Sequence, residues 1–220
     1  MMQSIDIKNK ELLSILNEAS WFVDNHEIIQ EHLHQNGKGV LADPWINDQY
    51  KWETINSGTT HTGWPQTATG YSIKPDQIKY KTFNEEIPNR YDRINTELMH
   101  YFGTRHNALF HVYPPEGFLS WHNNANASSQ NVIFTYNPTG DGYFAYHDWE
   151  TNETIKMKDK PGWSCKAGFF ASYKEPKEKL VYHCAYTKVW RMTVSYIWGA
   201  YDTEIGREFQ QQVIEDISIE

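Results

Sequence analysis

Val189-Trp190-Arg191-Met192-Thr193-Val194-Ser195-Tyr196-Ile197-Trp198 is rich in β-branched and aromatic residues, the composition of a strand. Side chains on a strand alternate between two faces. Trp190, Met192, Val194, Tyr196 and Trp198 therefore make one large apolar face, and Arg191, Thr193, Ser195 and Ile197 make the other. The apolar face must pack on a core. If the second face turns into the interior, the Arg191 guanidinium needs an anion, because an unpaired buried charge is very costly. That anion is either a bound carboxylate, which matches the guanidinium fork, or a protein carboxylate in a structural ion pair.

Upstream of this strand, short β-rich segments recur at 108–113, 131–136, 143–146, 154–158, 163–171 and 179–183. Pro114-Pro115-Glu116-Gly117, Asn137-Pro138-Thr139-Gly140-Asp141-Gly142 and Lys160-Pro161-Gly162 separate several of them. Such spacing predicts an antiparallel sandwich or barrel, read here as a jelly roll. Residues 9–34 carry Leu12, Leu13, Ile15, Leu16, Ala19 and Phe22 at helical spacing, and a second helix is expected over 88–102 with Gly103 as its stop. His26, His32 and His34 fall near the end of the first and are expected at an exposed helix terminus. Residues 43–71 show no period and hold Trp45, Trp52 and Trp64. They form either a lid over a binding site or an extension that packs its indoles on the core.

The chain of 220 residues is read as one unit: helical support and an aromatic loop over 1–104, a β core over 105–202, and a C-terminal tail or short helix over 203–220. Acids outnumber bases 28 to 20, so a broad basic face for nonspecific nucleic-acid binding is not expected, while a local basic groove stays open. Aromatics are 15% of the chain against a hydrophobic total of 39%, which favours sheets over helix bundles. Two cysteines, Cys165 and Cys184, do not make a disulfide framework and read as buried thiols. No stretch approaches the ~20 apolar residues of a membrane helix, and the start lacks a signal-peptide pattern. A soluble, cytoplasmic protein is the expectation.

His183 ends the segment Leu180-Val181-Tyr182-His183, eight positions before Arg191, and a turn is expected over 185–188. His122 ends Phe118-Leu119-Ser120-Trp121-His122 and is followed by Asn123-Asn124. Each histidine alone reads as readily as a hydrogen-bonded structural residue. Together, two strand-end imidazoles near an inward arginine form a layout for a metal with an anionic co-ligand. His147-Asp148 reads as an acid/base pair or as a turn aspartate with a neighbour. His106 and His111 precede Tyr113; His111 alternates with Phe110, so one of the two faces the core, and a hydrogen-bonded core histidine is expected there.

Residues 108–202 resemble the double-stranded β-helix of the 2-oxoglutarate/Fe(II)-dependent oxygenases, in the prolyl-hydroxylase-like branch. The likeness rests on Phe110-His111-Val112-Tyr113-Pro114, Gly140-Asp141-Gly142-Tyr143-Phe144, Gly168-Phe169-Phe170-Ala171, and Tyr182-His183 followed by Trp190-Arg191-Met192-Thr193-Val194-Ser195-Tyr196. Gly117-Phe118-Leu119-Ser120-Trp121-His122-Asn123-Asn124 is also similar to small oxygenases of phages and marine bacteria. The resemblance implies that His122 and His183 bind Fe(II), and that Arg191, supported by Thr193, pairs with the C5 carboxylate of the co-substrate 2-oxoglutarate. It implies a further donor to that carboxylate from Tyr136, its neighbour Thr135, or Tyr113. O₂ would be the second co-substrate and the reaction a C–H hydroxylation releasing succinate and CO₂. The primary substrate is left open among a small molecule, a peptide and a nucleobase.

The family pattern is His-x-Asp or His-x-Glu, and here Asn124 stands at the carboxylate's place. Three readings follow: Asn124 ligates through its amide oxygen, another acid such as Asp141 or Asp148 takes over, or the site is weakened or dead with only two histidine ligands. The rival reading of the whole chain is a catalytically silent jelly-roll module binding an anionic ligand or a protein partner.

Overall fold

The computed structural model describes residues 2–57, 63–74, 85–104, 107–199 and 202–220. His106, raised above, lies outside them.

Leu12, Leu16 and Ala19 form one buried stripe on α1 (Lys10–Ala19), whose first turn is capped by the Asn9 side chain accepting from the Leu12 N–H at 3.0 Å. The single helix expected over 9–34 is divided into α1, α2 (Trp21–Asp24) and α3 (His26–His32). The break at Asn25, with φ −114° and ψ 39°, redirects the chain so that Phe22, Val23 and Ile29 all reach one core. His26 therefore begins a helix instead of ending one. It stacks on Trp190 with ring centroids 4.4 Å apart. The described parts of residues 43–71, 43–57 and 63–71, are likewise more ordered than expected. They contain α4 (Asp43–Ile46), with proline in its first turn, and α5 (Asp48–Asn56), capped by Asn47. Two further helices are α6 (Glu86–Tyr101) and α7 (Glu204–Ser218).

The strands are β1 (Gln3–Ile5), β2 (Tyr71–Ser72), β3 (Asn107–Tyr113), β4 (Phe118–His122), β5 (Ser129–Asn137), β6 (Gly142–Asp148), β7 (Glu153–Lys158), β8 (Gly162–Phe170), β9 (His183–Thr187) and β10 (Arg191–Trp198). They form two antiparallel sheets, ordered β1-β8-β5-β10-β3-β2 and β4-β9-β6-β7. The strand expected over 179–183 is not present, and the turn expected over 185–188 is largely strand. Backbone carbonyls explain the shift. Leu180 O accepts from Trp149 Nε1, Val181 O faces His183 Nδ1, and Tyr182 O accepts from the His147 N–H, so this stretch has no ladder to join. Pairing begins at His183, between β4 and β6.

Alternation then builds the layers. Met192, Val194 and Tyr196 of β10, with Phe110, Val112, Val132, Phe134, Cys165 and Ala167 from its neighbours, pack on the buried faces of α1, α6 and α7. On the other side of the molecule, Trp121, Ala145 and Cys184 pack against Ile55 and the half-buried Ile46, Tyr50 and Trp52 of α4 and α5. Each sheet thus buries its outer face under helices, and the two inner faces meet. Cys165 and Cys184 are buried and unpaired with one another. Among the described residues, no helix is long and apolar enough to cross a membrane.

Candidate functional site

The inner faces enclose a cavity of about 310 Å³. Its wall includes His122 and Asn124 from β4 and the turn beyond it, His183 from β9, and Arg191, Thr193, Ser195 and Ile197 from β10.

His122 and His183 are direct cross-strand neighbours, and their ring centroids lie 4.1 Å apart. Each ring turns Nδ1 to a carbonyl two residues back: His122 to Ser120 O at 2.7 Å, His183 to Val181 O at 2.8 Å. A carbonyl only accepts, so Nδ1 carries the proton and Nε2 holds the lone pair in both rings. Burial brings the His183 pKa down to about 4, against a smaller opposing effect of the Val181 carbonyl, which keeps the ring neutral near pH 7. Phe144 and Phe170 pack against the same ring at 5.3 and 5.0 Å. Two imidazoles at the wall of a cavity, each with Nδ1 turned to a backbone carbonyl, are donors of the type that a first-row divalent metal accepts.

The third position is set by a turn. Asn124 has φ 63° and Ala125 φ 54°, and asparagine is among the few side chains that adopt this left-handed region readily. Asn123 closes the turn through its Oδ1, which accepts from the Ala125 N–H at 3.0 Å. Gly63 lies directly against it: its carbonyl accepts from the Asn123 N–H at 3.1 Å, and a Cβ there would meet Asn123 Oδ1 and Ala125 Cα at 2.3 Å. The two acids raised as substitutes stand elsewhere. Asp141 accepts from Thr139 Oγ1, and Asp148 from Thr151 Oγ1 in a turn. No group of three or more His, Cys, Asp or Glu that could hold a metal occurs among the described residues.

Arg191 is 2% exposed and is held on several sides. Nε donates to Asp159 Oδ2 at 2.8 Å, one terminal nitrogen to Thr193 Oγ1 at 2.8 Å, and the other to Thr135 Oγ1 at 3.3 Å. The Tyr113 ring lies 5.1 Å beneath the guanidinium carbon. The protein-carboxylate reading of Arg191 is therefore present in the fold, and that carboxylate is shared. Lys166, also 2% exposed, has its Nζ 3.4 Å from Asp159 Oδ1. Two basic side chains thus meet one carboxylate, with Arg191 at the cavity wall. Burial tends to raise the Asp159 carboxyl, but Arg191 and Lys166 together hold it below the ordinary aspartate range. Burial lowers the Lys166 pKa more than Asp159 restores it.

No protein-family model and no curated protein matches the chain. Among solved structures it is similar to a Pseudomonas putida prolyl-4-hydroxylase, with a TM-score of 0.41 and 12% sequence identity over 90% of this chain and 91% of that one.

The expected assistants of Arg191 divide by strand face. Thr193 and Tyr113 line the cavity, and Thr135 bonds the guanidinium. Tyr136 does not: it follows Thr135 on β5, faces the helical layer, and packs against Trp163 with centroids 5.3 Å apart. Of the three loop tryptophans, Trp64 reaches the cavity, where it is 51% exposed, while Trp45 packs on Tyr50 and Trp52 against His147. His147 and Asp148 do not line the cavity. Asp159 and Lys166 were missed because Asp159-Lys160-Pro161-Gly162 reads as a plain turn. A signal existed for Lys166, whose β8 neighbours Cys165 and Ala167 claim the apolar face and leave the lysine pointing inward.

Proposed function

We propose that this chain is an Fe(II)- and 2-oxoglutarate-dependent oxygenase on a double-stranded β-helix, hydroxylating an unactivated C–H bond. The supporting observation is the placement of His122, His183 and the buried Arg191 on the wall of one small cavity. The donors fit the metal in chemical type: His122 and His183 hold the iron through Nε2, and Asn124 offers its amide oxygen as third ligand. Three neutral donors leave the centre one unit more positive than a set with a carboxylate, which strengthens its hold on an anionic co-substrate. When bound, iron supplies the chemistry that couples decarboxylation of 2-oxoglutarate by O₂ to substrate hydroxylation, giving succinate and CO₂.

The chain's own residues prepare that chemistry. Arg191 receives the distal carboxylate with the terminal N–H groups not engaged by its protein partners. Thr193 and Thr135 fix the plane of the guanidinium, and Asp159 anchors its Nε. Ile133, Phe144 and Phe170 line the cavity with apolar surface and keep it poor in water. Trp64 stands where a substrate would enter.

The test is anaerobic addition of Fe(II) and 2-oxoglutarate, read by the visible charge-transfer band of the chelate. The expected result is a band of one equivalent that is lost in His183→Ala. In Arg191→Lys, which keeps charge but loses the fork, it needs at least tenfold more 2-oxoglutarate. Absence of the band in the wild type refutes the reading. One observation favours a silent anion-binding module instead: the described residues hold no carboxylate beside the histidine pair. Equal affinity for 2-oxoglutarate with and without Fe(II), measured by calorimetry, would select that alternative.

A further inference from the structure

A second concavity, of about 540 Å³, lies outside the cavity just described and shares no wall residue with it. It runs past the end of β6, the end of β8, the segment before β9 and the start of α7.

Two buried polar side chains in its lining stand without partners. Gln130 is fully buried, yet neither its amide oxygen nor its amide nitrogen makes a hydrogen bond. His147 is 2% exposed, lies edge-on to Trp52 and Trp149 with centroids at 5.1 and 4.4 Å, and bonds through neither ring nitrogen. Buried polar groups are nearly always paired, so each of these leaves a donor and an acceptor for something that enters. A carboxamide with both ends unused is the hydrogen-bonding complement of a peptide unit, which also offers one N–H and one C=O.

The rim supplies the charge. Lys179 and Arg207 are its bases, and both are paired, with Glu175 at 3.6 Å and Asp202 at 2.7 Å. Asp148, Glu150 and Glu178 have no ion pair with a lysine or arginine among the described residues. The groove is therefore acidic after its own ion pairs are counted. Gln3 and Lys179 are exposed side chains on its edge, and exposed rotamers change quickly enough to admit a chain.

We propose that this groove docks a lysine- or arginine-bearing peptide segment. The peptide backbone meets Gln130 and His147, and its cations meet Asp148, Glu150 and Glu178. The assignment is independent of the metal reading and needs no iron for its test.

The test is fluorescence anisotropy of the intact protein with a fluorescein-labelled nonapeptide of alternating Lys and Gly. A Glu/Gly nonapeptide and spermidine serve as comparisons. The expected result is saturable binding of the Lys/Gly peptide alone, weakened at least tenfold in Gln130→Leu or His147→Phe. The exposed double variant Glu150→Gln/Glu178→Gln, which leaves the core untouched, should weaken it at least fivefold. Equal binding of the Glu/Gly peptide overturns the proposal, as does displacement by spermidine at the same concentration as unlabelled peptide. So does a loss confined to the charge variant, because attraction indifferent to Gln130 and His147 is nonspecific.

Discussion

Asp159→Asn removes the one carboxylate shared by Arg191 and Lys166, and the structure allows its cost to be worked out. The contacts of 2.8 and 3.4 Å correspond, at an effective dielectric of about 20, to gross attractions of about 6 and 5 kcal/mol. The net loss is smaller. Lys166, whose pKa burial already lowers, loses the carboxylate that raises it. Arg191 keeps its charge and is left buried without a counterion, which costs about 3–5 kcal/mol. In a chain of this size each kcal/mol moves Tm by about 2–4 °C, so the expected fall is about 6–20 °C by differential scanning calorimetry. The pH dependence should change too. The folded-state pKa of Asp159 lies below its ordinary 3.8, so its contribution is full above that value and is lost as pH falls through the lower folded value. The asparagine variant should lack that acid limb. A Tm fall of less than about 2 °C, or an unchanged acid limb, would refute the view that Asp159 is the buried counterion.

Thr193→Val removes the 2.8 Å acceptor that holds one terminal nitrogen of Arg191 and should weaken 2-oxoglutarate binding about tenfold by calorimetry. Gln130→Leu replaces an unsatisfied buried amide by an apolar group and should raise stability by about 1–3 kcal/mol in urea unfolding. Gly63→Ala drives a methyl into the Asn123–Ala125 turn and should lower Fe(II) affinity at least tenfold, read by metal titration. Burial depresses the His111 pKa from 6.5 to about 4, so the unfolded chain takes up the proton first. Its stabilising contribution is complete above pH 6.5 and is lost as pH falls towards 4, and His111→Phe should flatten the urea midpoint across that window.

Much of the β core was legible because a period of two is a strong signal when one face is apolar. The split of residues 189–198 into Met192, Val194 and Tyr196 against Arg191, Thr193 and Ser195 is how β10 is built. Spacing alone could not register the histidine pair: His122 and His183 meet because β9 starts at His183, and carbonyls 180–182 are taken by Trp149, His147 and His183 itself. Those are long-range or side-chain bonds that no local pattern reports. The same holds for Tyr136, which one step of alternation carries to the far side of the sheet from Thr135. Asp159 was hidden because a turn with Pro and Gly explains itself, and nothing local shows that its carboxylate bonds Arg191, 32 residues on. The helices over 43–56 were concealed by their brevity and mixed polarity, as caps at Asn47 and a first-turn proline outweigh any hydrophobic period.

The most direct measurement is a crystal structure grown anaerobically with Fe(II) and 2-oxoglutarate, with anomalous data collected at the iron edge. The expected result is one anomalous peak within bonding distance of Nε2 of both His122 and His183, and a carboxylate of the co-substrate paired with Arg191. An empty histidine pair, or 2-oxoglutarate bound away from Arg191, would contradict the oxygenase assignment.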